Sequence, residues 1–334
     1  MKFAGIIAEY DPFHNGHAWQ LAQAKALGAE RVAVAMSCSL VQRGALPLLP
    51  EAVRTRSALT CGADLVFALP APCACAGAEA FARAGVALLA AAGCDGLVFG
   101  AEMPDAALLM EAAELLDSDS YRAALKAQLA GGARSFAAAR QAAAAQLASD
   151  ERVAALLDKP NNNLAVEYCR AIRSLAPRME AYPLPRQGAN HGEALHSAHG
   201  QFASASALRK LWAEGGADAV APYVPEAVFP LYQEAYAAGQ YTDFSAAGRC
   251  ELALLRSACR GKAPFADIRG VSEGLEHRLE AAVRTSTTYD ELLDALTTVR
   301  YPRARMRRLA MDAALGCTAD SLPALPPYLH LLGG

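Results

Sequence analysis

The stretch FAGIIAEYDPFHNGH, residues 3–17, decides the fold, because an apolar run is followed by turn residues and then by a helical pattern. Phe3 to Ala8 has the length and composition of a buried strand. A proline and a glycine interrupt the pattern before helix-forming residues run from His17 to Leu27. The stretch predicts a strand, a loop and a helix, with the tetrapeptide HNGH, residues 14–17, at the helix start.

The HNGH tetrapeptide has the chemistry of a phosphate-binding turn. A helix that begins after a strand of an α/β sheet offers backbone N–H groups to anions at the ligand-binding edge. His14 and His17 can both donate hydrogen bonds to phosphate oxygens, and Gly16 lets a nucleotide approach closely. The alternative is that two histidines occupy an ordinary turn. A zinc site is less favoured, because the neighbouring sequence has neither a cysteine nor a third histidine.

Three further apolar runs alternate with helical patterns along the first hundred residues. They are Arg31 to Met36, Asp64 to Leu69 and Gly96 to Phe99. Strands that alternate with helices predict an α/β fold with a parallel sheet and right-handed crossovers.

Later parts of the chain are rich in helix formers. Residues 104–160 predict a helical insertion, and a short strand pattern returns only near Met179 to Tyr182. We therefore predict an α/β domain over residues 1–215 and a helical domain over residues 216–334.

Composition excludes several classes of protein. The 334 residues are 54% hydrophobic and 19% charged, with a net charge of −3, which argues against a disordered chain and against a polycation that coats nucleic acid. No apolar run is long enough to predict a membrane span, and the pattern of the first residues does not predict a secretory leader. The nine cysteines include no CxxC pair, which is typical of a reducing compartment, and we expect a cytoplasmic protein.

A second phosphate element is predicted in SASALRK, residues 204–210. Ser204 and Ser206 can cap a helix, and Arg209 lies about one turn inside it. Arginine binds phosphate oxygens in a bidentate manner. The alternative is an ordinary helix start.

These motifs belong to a longer ordered series: EYDPFHNGH at 9–17, MS at 36–37, QRG at 42–44, FGAE at 99–102, KPNN at 159–162, RQGA at 186–189 and EGLEHR at 273–278. The series resembles the bacterial tRNA(Met) cytidine acetate ligase family, which has a Rossmann-like, HIGH-type nucleotidyltransferase domain. The resemblance implies that residues 1–215 form the ATP-binding, nucleotidyltransferase-like domain and that the helical domain over residues 216–334 contacts tRNA. The resemblance implies that ATP activates acetate to acetyl-adenylate. The acetyl group then passes to N4 of the wobble cytidine of elongator tRNA(Met). It also implies that Mg²⁺ accompanies ATP, and it implies no protein partner and no membrane.

Carried onto this chain, the resemblance makes His14 and His17 the catalytic residues. It assigns these residues to ATP: Ile7, Ala8, Glu9, Tyr10, Asp11, Pro12, Phe13, His14, Asn15, Gly16, His17, Gln20, Gly100, Asn161, Asn162, Arg186, Ser204, Ser206 and Arg209. For the residues beyond position 20 there are simpler alternatives. Gly100 would only end a strand, the two asparagines would only cap a helix, and Arg186 would be a surface charge.

This chain departs from the family pattern at two positions. Asp11 stands where the family usually has asparagine, and it keeps a polar acceptor that can cap the turn. Cys38 stands where the family usually has glycine, which changes the loop expected to shape the acetate side of the site.

The run RYPRARMRR, residues 300–308, is strongly basic. On a helix that begins after Pro302, Arg303 and Arg307 share a face, and Arg300 lies just before it. Basic, aromatic-containing sequence in this region of the family predicts that these three arginines bind tRNA. The alternative is a solvated face that pairs with Asp290, Glu291 and Asp294.

Two other functions are compatible with the sequence. One is an adenylyltransferase that acts on a phosphorylated small metabolite, and the other is a catalytically idle RNA-binding protein. His191, His196 and His199 suggest a metal site, but glycine- and alanine-rich sequence around them predicts a loop, so we predict no metal ligands.

Overall fold

The computed structural model describes residues 1–132, 135–185, 195–197, 200–261, 263–321 and 323–334. Within these ranges one sheet has six strands: β1 (Phe3–Ala8), β2 (Arg31–Ser37), β3 (Leu65–Leu69), β4 (Gly96–Ala101), β5 (Glu180–Pro185) and β8 (Leu331–Gly333). The strand order is β5-β4-β1-β2-β3-β8. Neighbours from β5 to β3 pair in parallel, and β8 is antiparallel to β3. A separate antiparallel pair consists of β6 (Leu195–Ser197) and β7 (Gly200–Phe202).

Helices make up much of the rest of the described chain. Those of the first half are α1 (Asn15–Ala26), α2 (Glu51–Thr60), α3 (Ala71–Ala74), α4 (Ala78–Ala91), α5 (Ala106–Asp117), α6 (Asp119–Ala130), α7 (Phe136–Leu147), α8 (Glu151–Leu156) and α9 (Pro160–Leu175). Those of the second half are α10 (Ala205–Val220), α11 (Phe229–Ala237), α12 (Phe244–Ala258), α13 (Leu275–Thr285), α14 (Tyr289–Leu296) and α15 (Arg303–Leu315). Single 3₁₀ turns lie at Ala221–Tyr223 and Ala319–Ser321.

Both faces of the sheet are buried, as a parallel sheet requires. Along β2, Ala33 and Ala35 pack into the apolar cluster that holds α4, α5 and α9. The alternate residues Val32 and Val34 pack into the cluster on the other face, with α1, α10 and α11. This period of two follows from the strand pleat.

The strand and helix pattern predicted from the sequence is confirmed for the parallel α/β core. The helical insertion consists of α5, α6, α7 and α8, and the brief later strand is β5. Sequence reasoning missed β8, because three residues after a proline-rich segment carry too little periodicity to identify a strand.

Residues after position 216 contribute to more than one core. Ala217, Val220 and Tyr232 pack with β1 and β2, whereas a separate apolar cluster begins at Leu252 and includes α13, α14 and α15. The division at residue 216 stays a prediction. Among the helices of the described ranges, none is both long and apolar enough to cross a membrane.

Candidate functional site

The candidate site lies where β1 ends, at the carboxyl edge of the sheet. The chain leaves β1 toward β2 on one side, and β4 pairs with β1 on the other. In such sheets a crevice opens where the strand order reverses, and ligands bind there. Helix α1 begins at Asn15, so the HNGH turn lies at this crevice.

His14 and His17 cap the helix that they begin. The Nδ1 atom of His14 accepts a hydrogen bond from the Gly16 amide at 3.0 Å, and Nδ1 of His17 accepts one from the His14 amide at 3.3 Å. Because Nδ1 accepts in both rings, the neutral imidazoles carry their hydrogen on Nε2. The rings are stacked, with centroids 3.8 Å apart. Nε2 is therefore the atom with which each ring can donate to a phosphate oxygen.

Gly16 leaves room for this cap. A Cβ at position 16 would lie 2.9 Å from Cε1 of His14. The sequence predicted that Gly16 makes room for a nucleotide, and the structure shows that it makes room for the His14 ring first.

Two aromatic side chains, Tyr10 and Phe13, pack against His17. The buried rings of Tyr10 and Phe13 lie 4.8 Å apart, and the Tyr10 ring is 4.9 Å from His17. Tyr10 has a φ of 50°, a left-handed conformation that is costly for a residue with a Cβ. Such strain, fixed by surrounding packing, is common at functional sites.

Residues after position 216 form hydrogen bonds with the same turn. The Tyr232 hydroxyl donates to the Phe13 carbonyl at 2.7 Å, and Nδ2 of Asn15 donates to the Pro222 carbonyl at 3.3 Å. The helical second half of the chain therefore helps to build the site.

Asp11 and Arg209 join the two predicted phosphate motifs. Nη1 of Arg209 donates to the Asp11 carbonyl at 2.6 Å and to Oδ2 of Asp11 at 3.0 Å. The other carboxylate oxygen, Oδ1, accepts from the Leu48 amide at 2.5 Å. Burial raises the pKa of Asp11, and the Arg209 charge opposes that effect. The carboxylate of Asp11 thus gives Arg209 an ionic partner, which an asparagine would not provide.

Ser204 and Ser206 lie at the start of α10. Oγ of Ser204 accepts from the Ala207 amide at 3.3 Å and is 3.1 Å from Oγ of Ser206. Phe202, just before them, is 3.7 Å from the position that a Cβ of Gly16 would take. The structure therefore brings this helix start to the HNGH turn, as the sequence predicted.

The end of β4 carries a second group of predicted residues. Gly100 is exposed there, and Glu102 follows it. The Glu102 carboxylate accepts from the amides of Asn161 and Asn162, at 3.3 and 2.7 Å, at the start of α9. Asn162 is buried, and its Oδ1 accepts from the Met103 amide at 3.0 Å. Asn162 therefore fixes the backbone after β4. Glu102 belongs to the FGAE motif, but sequence reasoning assigned it no role in the site.

The remaining predicted ATP residues lie around the same edge. The side chain of Ile7 packs against α4 at Gly85, so Ile7 would meet a nucleotide through its backbone. Gln20 donates from Nε2 to the Val98 carbonyl at 3.1 Å and ties α1 to β4. Ala8 and Pro12 are buried beside them.

Two sets of predicted residues fall wholly or partly outside the described part of the chain. Arg186 lies outside it, as do His191 and His199, and the side chain of His196 is not described. Among the described residues, no group of three histidine, cysteine or acidic side chains is placed to hold a metal ion.

Arg54 is a site residue that sequence reasoning missed. It is fully buried on α2, and it binds the chain segments that end β1 and β2. Its guanidinium donates to the carbonyls of Glu9 (2.8 Å), Ser37 (2.6 Å), Leu49 (3.0 Å) and Cys38. An arginine among alternating polar and apolar residues of a helix carries no sequence signal of burial.

Glu9 reaches the loop after β2. Its Oε1 accepts from the Gln42 amide at 2.6 Å, and burial raises the pKa of Glu9 against the effect of that bond. Nη1 of Arg308 donates to the Gln42 carbonyl at 3.2 Å, which connects this loop to α15.

The arginine run forms ion pairs with neighbouring carboxylates. Arg303 pairs with Asp290 at 2.6 Å and with Asp294, and Arg300 pairs with Glu273 at 2.7 Å. These contacts agree with the alternative that the sequence left open for Arg303. Arg307 is half-buried. Burial raises the pKa of Glu251, and the charge of Arg307 opposes that effect.

Comparison with known proteins gives a consistent result. The whole chain, residues 1–334, matches a family model described as HIGH Nucleotidyl Transferase. A tRNA(Met) cytidine acetate ligase from Syntrophotalea carbinolica is 36% identical over 340 residues, covering 100% of this chain and 80% of that protein. A protein of the same name from Acetivibrio thermocellus is 33% identical over 349 residues, covering 100% of this chain and 83% of that protein. The crystal structure of Thermotoga maritima TmcAL bound with alpha-thio ATP matches 96% of this chain and 76% of its own, with a TM-score of 0.86 and 29% identity.

Proposed function

The chain belongs to the tRNA(Met) cytidine acetate ligase family of HIGH nucleotidyl transferases, and we propose that it acetylates N4 of the wobble cytidine of elongator tRNA(Met). ATP would first activate acetate to acetyl-adenylate. An acetate oxygen attacks the α-phosphorus, and pyrophosphate leaves. The cytidine amine then attacks the acetyl carbon, and AMP leaves. We place this reaction in the cytoplasm, where tRNA and ATP meet.

The observation that carries the proposal is the capped histidine pair at the crevice beside β1. Both Nδ1 atoms bind backbone amides, so both rings present Nε2 donors from a helix N-terminus. Charge that develops on phosphate oxygens is stabilised by fixed donors of this kind. Arg209, held by Asp11 at the same turn, adds a positive charge.

Mg²⁺ would come with ATP. Both carboxylate oxygens of Asp11 are hydrogen bonded, one to Leu48 and one to Arg209, and the described residues hold no acidic cluster for a metal. The side chains of this edge therefore do not fit a protein-held metal ion, and we derive no step from one. ATP phosphates and water are its proposed ligands.

Acetate-dependent exchange of radiolabelled pyrophosphate into ATP tests the first step. We expect exchange without tRNA, because adenylate formation precedes transfer. Omission of acetate is the matched control and should abolish the signal. Exchange that ignores acetate and responds to nicotinamide mononucleotide or another phosphorylated metabolite would instead identify an adenylyltransferase. Binding of tRNA with no exchange at all would identify an idle RNA-binding protein.

The arginines at 300, 303 and 307 are our proposed tRNA contacts, although two of them pair with carboxylates in the free protein. Replacing Arg303 and Arg307 with alanine should flatten the salt dependence of tRNA binding by about one to two ion equivalents, because lost phosphate contacts release fewer counterions. A salt titration of tRNA binding by both proteins measures the two slopes. Arg284→Ala, which removes an exposed arginine paired with Glu280, is the matched control. Identical slopes in the wild type and the double variant would contradict tRNA contact by Arg303 and Arg307.

A further inference from the structure

A cavity of about 380 Å³, lined by both apolar and polar residues, lies beside the candidate ATP site, on the β2 side of β1. The loop after β2, the first turn of α2 and the turn between α11 and α12 line it. The residues that matter are Cys38, Leu48, Glu51, Arg54, Gln240 and Tyr241. The cavity is large enough for a pyrimidine base with part of its sugar.

The walls of this cavity are bound to the chain that leads into the HNGH turn. The Leu48 amide donates to Asp11 at 2.5 Å, and Arg54 donates to the Glu9 carbonyl at 2.8 Å. The crevice between β1 and β4 lies on the other side of β1. A molecule in the cavity and a nucleotide in the crevice would therefore flank the same strand end, as the two substrates of an acyl transfer must.

The turn between α11 and α12 is held in place by hydrogen bonds to the loop after β2. Thr242 donates from its amide to the Leu48 carbonyl at 2.8 Å and from its hydroxyl to the Pro47 carbonyl at 2.6 Å. The Tyr241 ring stacks on Tyr236 with centroids 5.3 Å apart, and 39% of its surface remains exposed. The cavity thus has a fixed aromatic residue at its rim, the kind of group on which unstacked RNA bases are held.

Two polar side chains of the lining match one base. Glu51, in the first turn of α2, contributes a carboxylate, and Gln240 contributes an amide. Cytosine presents an exocyclic amine beside two acceptors, N3 and O2. A carboxylate accepts from such an amine, and an amide N–H donates to the acceptors. Burial and the neighbouring Glu51 raise the pKa of Cys38 to about 12, so Cys38 remains a thiol, and its Sγ donates to the Met36 carbonyl at 3.6 Å.

We propose that this cavity receives the cytosine of the acceptor tRNA and that the Glu51 carboxylate takes a proton from N4. The inference rests on the proposed function, because it concerns the second step of that reaction. The N4 lone pair forms a bond to the acetyl carbon of acetyl-adenylate. The bond from that carbon to the AMP oxygen breaks, and its electron pair leaves with AMP. One N4 proton moves to Glu51, which later releases it to water.

Glu51→Gln tests the proposal, because glutamine keeps the size of the side chain and cannot act as the base. Acetate-dependent pyrophosphate exchange reports the first step, and acetyl transfer to a tRNA(Met) transcript at saturating concentration reports the whole reaction. We expect the ratio of transfer to exchange to fall by about 10²–10⁴-fold, the usual contribution of a general base. The matched control is Glu234→Gln, an exposed glutamate on α11, whose ratio should stay at the wild-type value.

Two further readouts separate a chemical role from a structural one. Glu51→Asp, which keeps a carboxylate, should recover part of the transfer that Glu51→Gln loses. Tyr241→Ala should raise the KM for tRNA with little change in exchange. A wild-type ratio in Glu51→Gln, or equal losses in exchange and transfer, would overturn the assignment. Absence of acetate-dependent exchange in the wild type would instead overturn the proposed function itself.

Discussion

Replacement of either His14 or His17 with alanine should slow acetate-dependent pyrophosphate exchange by about 10²–10³-fold, or about 3–4 kcal/mol of transition-state stabilisation. Each ring presents its Nε2 donor from a helix start at the carboxyl edge of β1, where phosphate charge would develop. Loss of one fixed donor at such a place removes stabilisation that water does not replace.

The alanine variants also remove caps, which would cost about 1 kcal/mol of folding free energy. His14→Asn and His17→Gln keep an acceptor at the N-cap and N3 positions, where those side chains are favoured. We expect these two variants to retain the thermal unfolding midpoint of the wild type and still to lose the exchange rate. Wild-type exchange in either capped variant would contradict a role for the histidines at the phosphates.

Local pattern was sufficient to predict the core of the site. An apolar run, a turn and a helix start gave the position of HNGH, because each of these features depends on residues close in sequence. The contact between Asp11 and Arg209 could not be predicted in the same way. The two residues are 198 positions apart, and their meeting depends on how α10 packs on the sheet. The resemblance placed them near one ligand, and the structure adds that they bind each other.

Polar residues with two plausible roles were the hardest to assign from sequence. The alternatives for Asn161 and Asn162 were nucleotide contact and helix capping, and the structure gives both residues hydrogen bonds with the β4 end. The same ambiguity applied to the arginine run. Asp290 and Asp294 pair with Arg303 as the alternative foresaw, whereas Glu291 instead accepts from Thr287 at its own helix start. Which carboxylate an arginine reaches depends on helix packing, which the sequence does not specify.

Replacement of Arg54 with methionine should lower the free energy of unfolding by about 3–5 kcal/mol, the cost of removing one member of a buried charged network. The guanidinium of Arg54 is fully buried and donates to the carbonyls at the ends of β1 and β2. Methionine fills much of the volume and supplies no donor, so those carbonyls would lose their partner without access to water.

Arg56→Met is the matched control, because it makes the same change two residues away on the same helix. The Arg56 side chain is 62% exposed, and it lies 3.7 Å from Glu234 in an exposed ion pair. Its loss should change stability by no more than about 0.5 kcal/mol. Arg54→Lys should remain clearly destabilised, because an ammonium cannot reproduce the planar fork that bridges several carbonyls. Urea unfolding of the three variants ranks them. If Arg54→Met unfolded at the same urea concentration as Arg56→Met, the ends of β1 and β2 would not depend on the guanidinium, and the loop that lines the cavity would need another support.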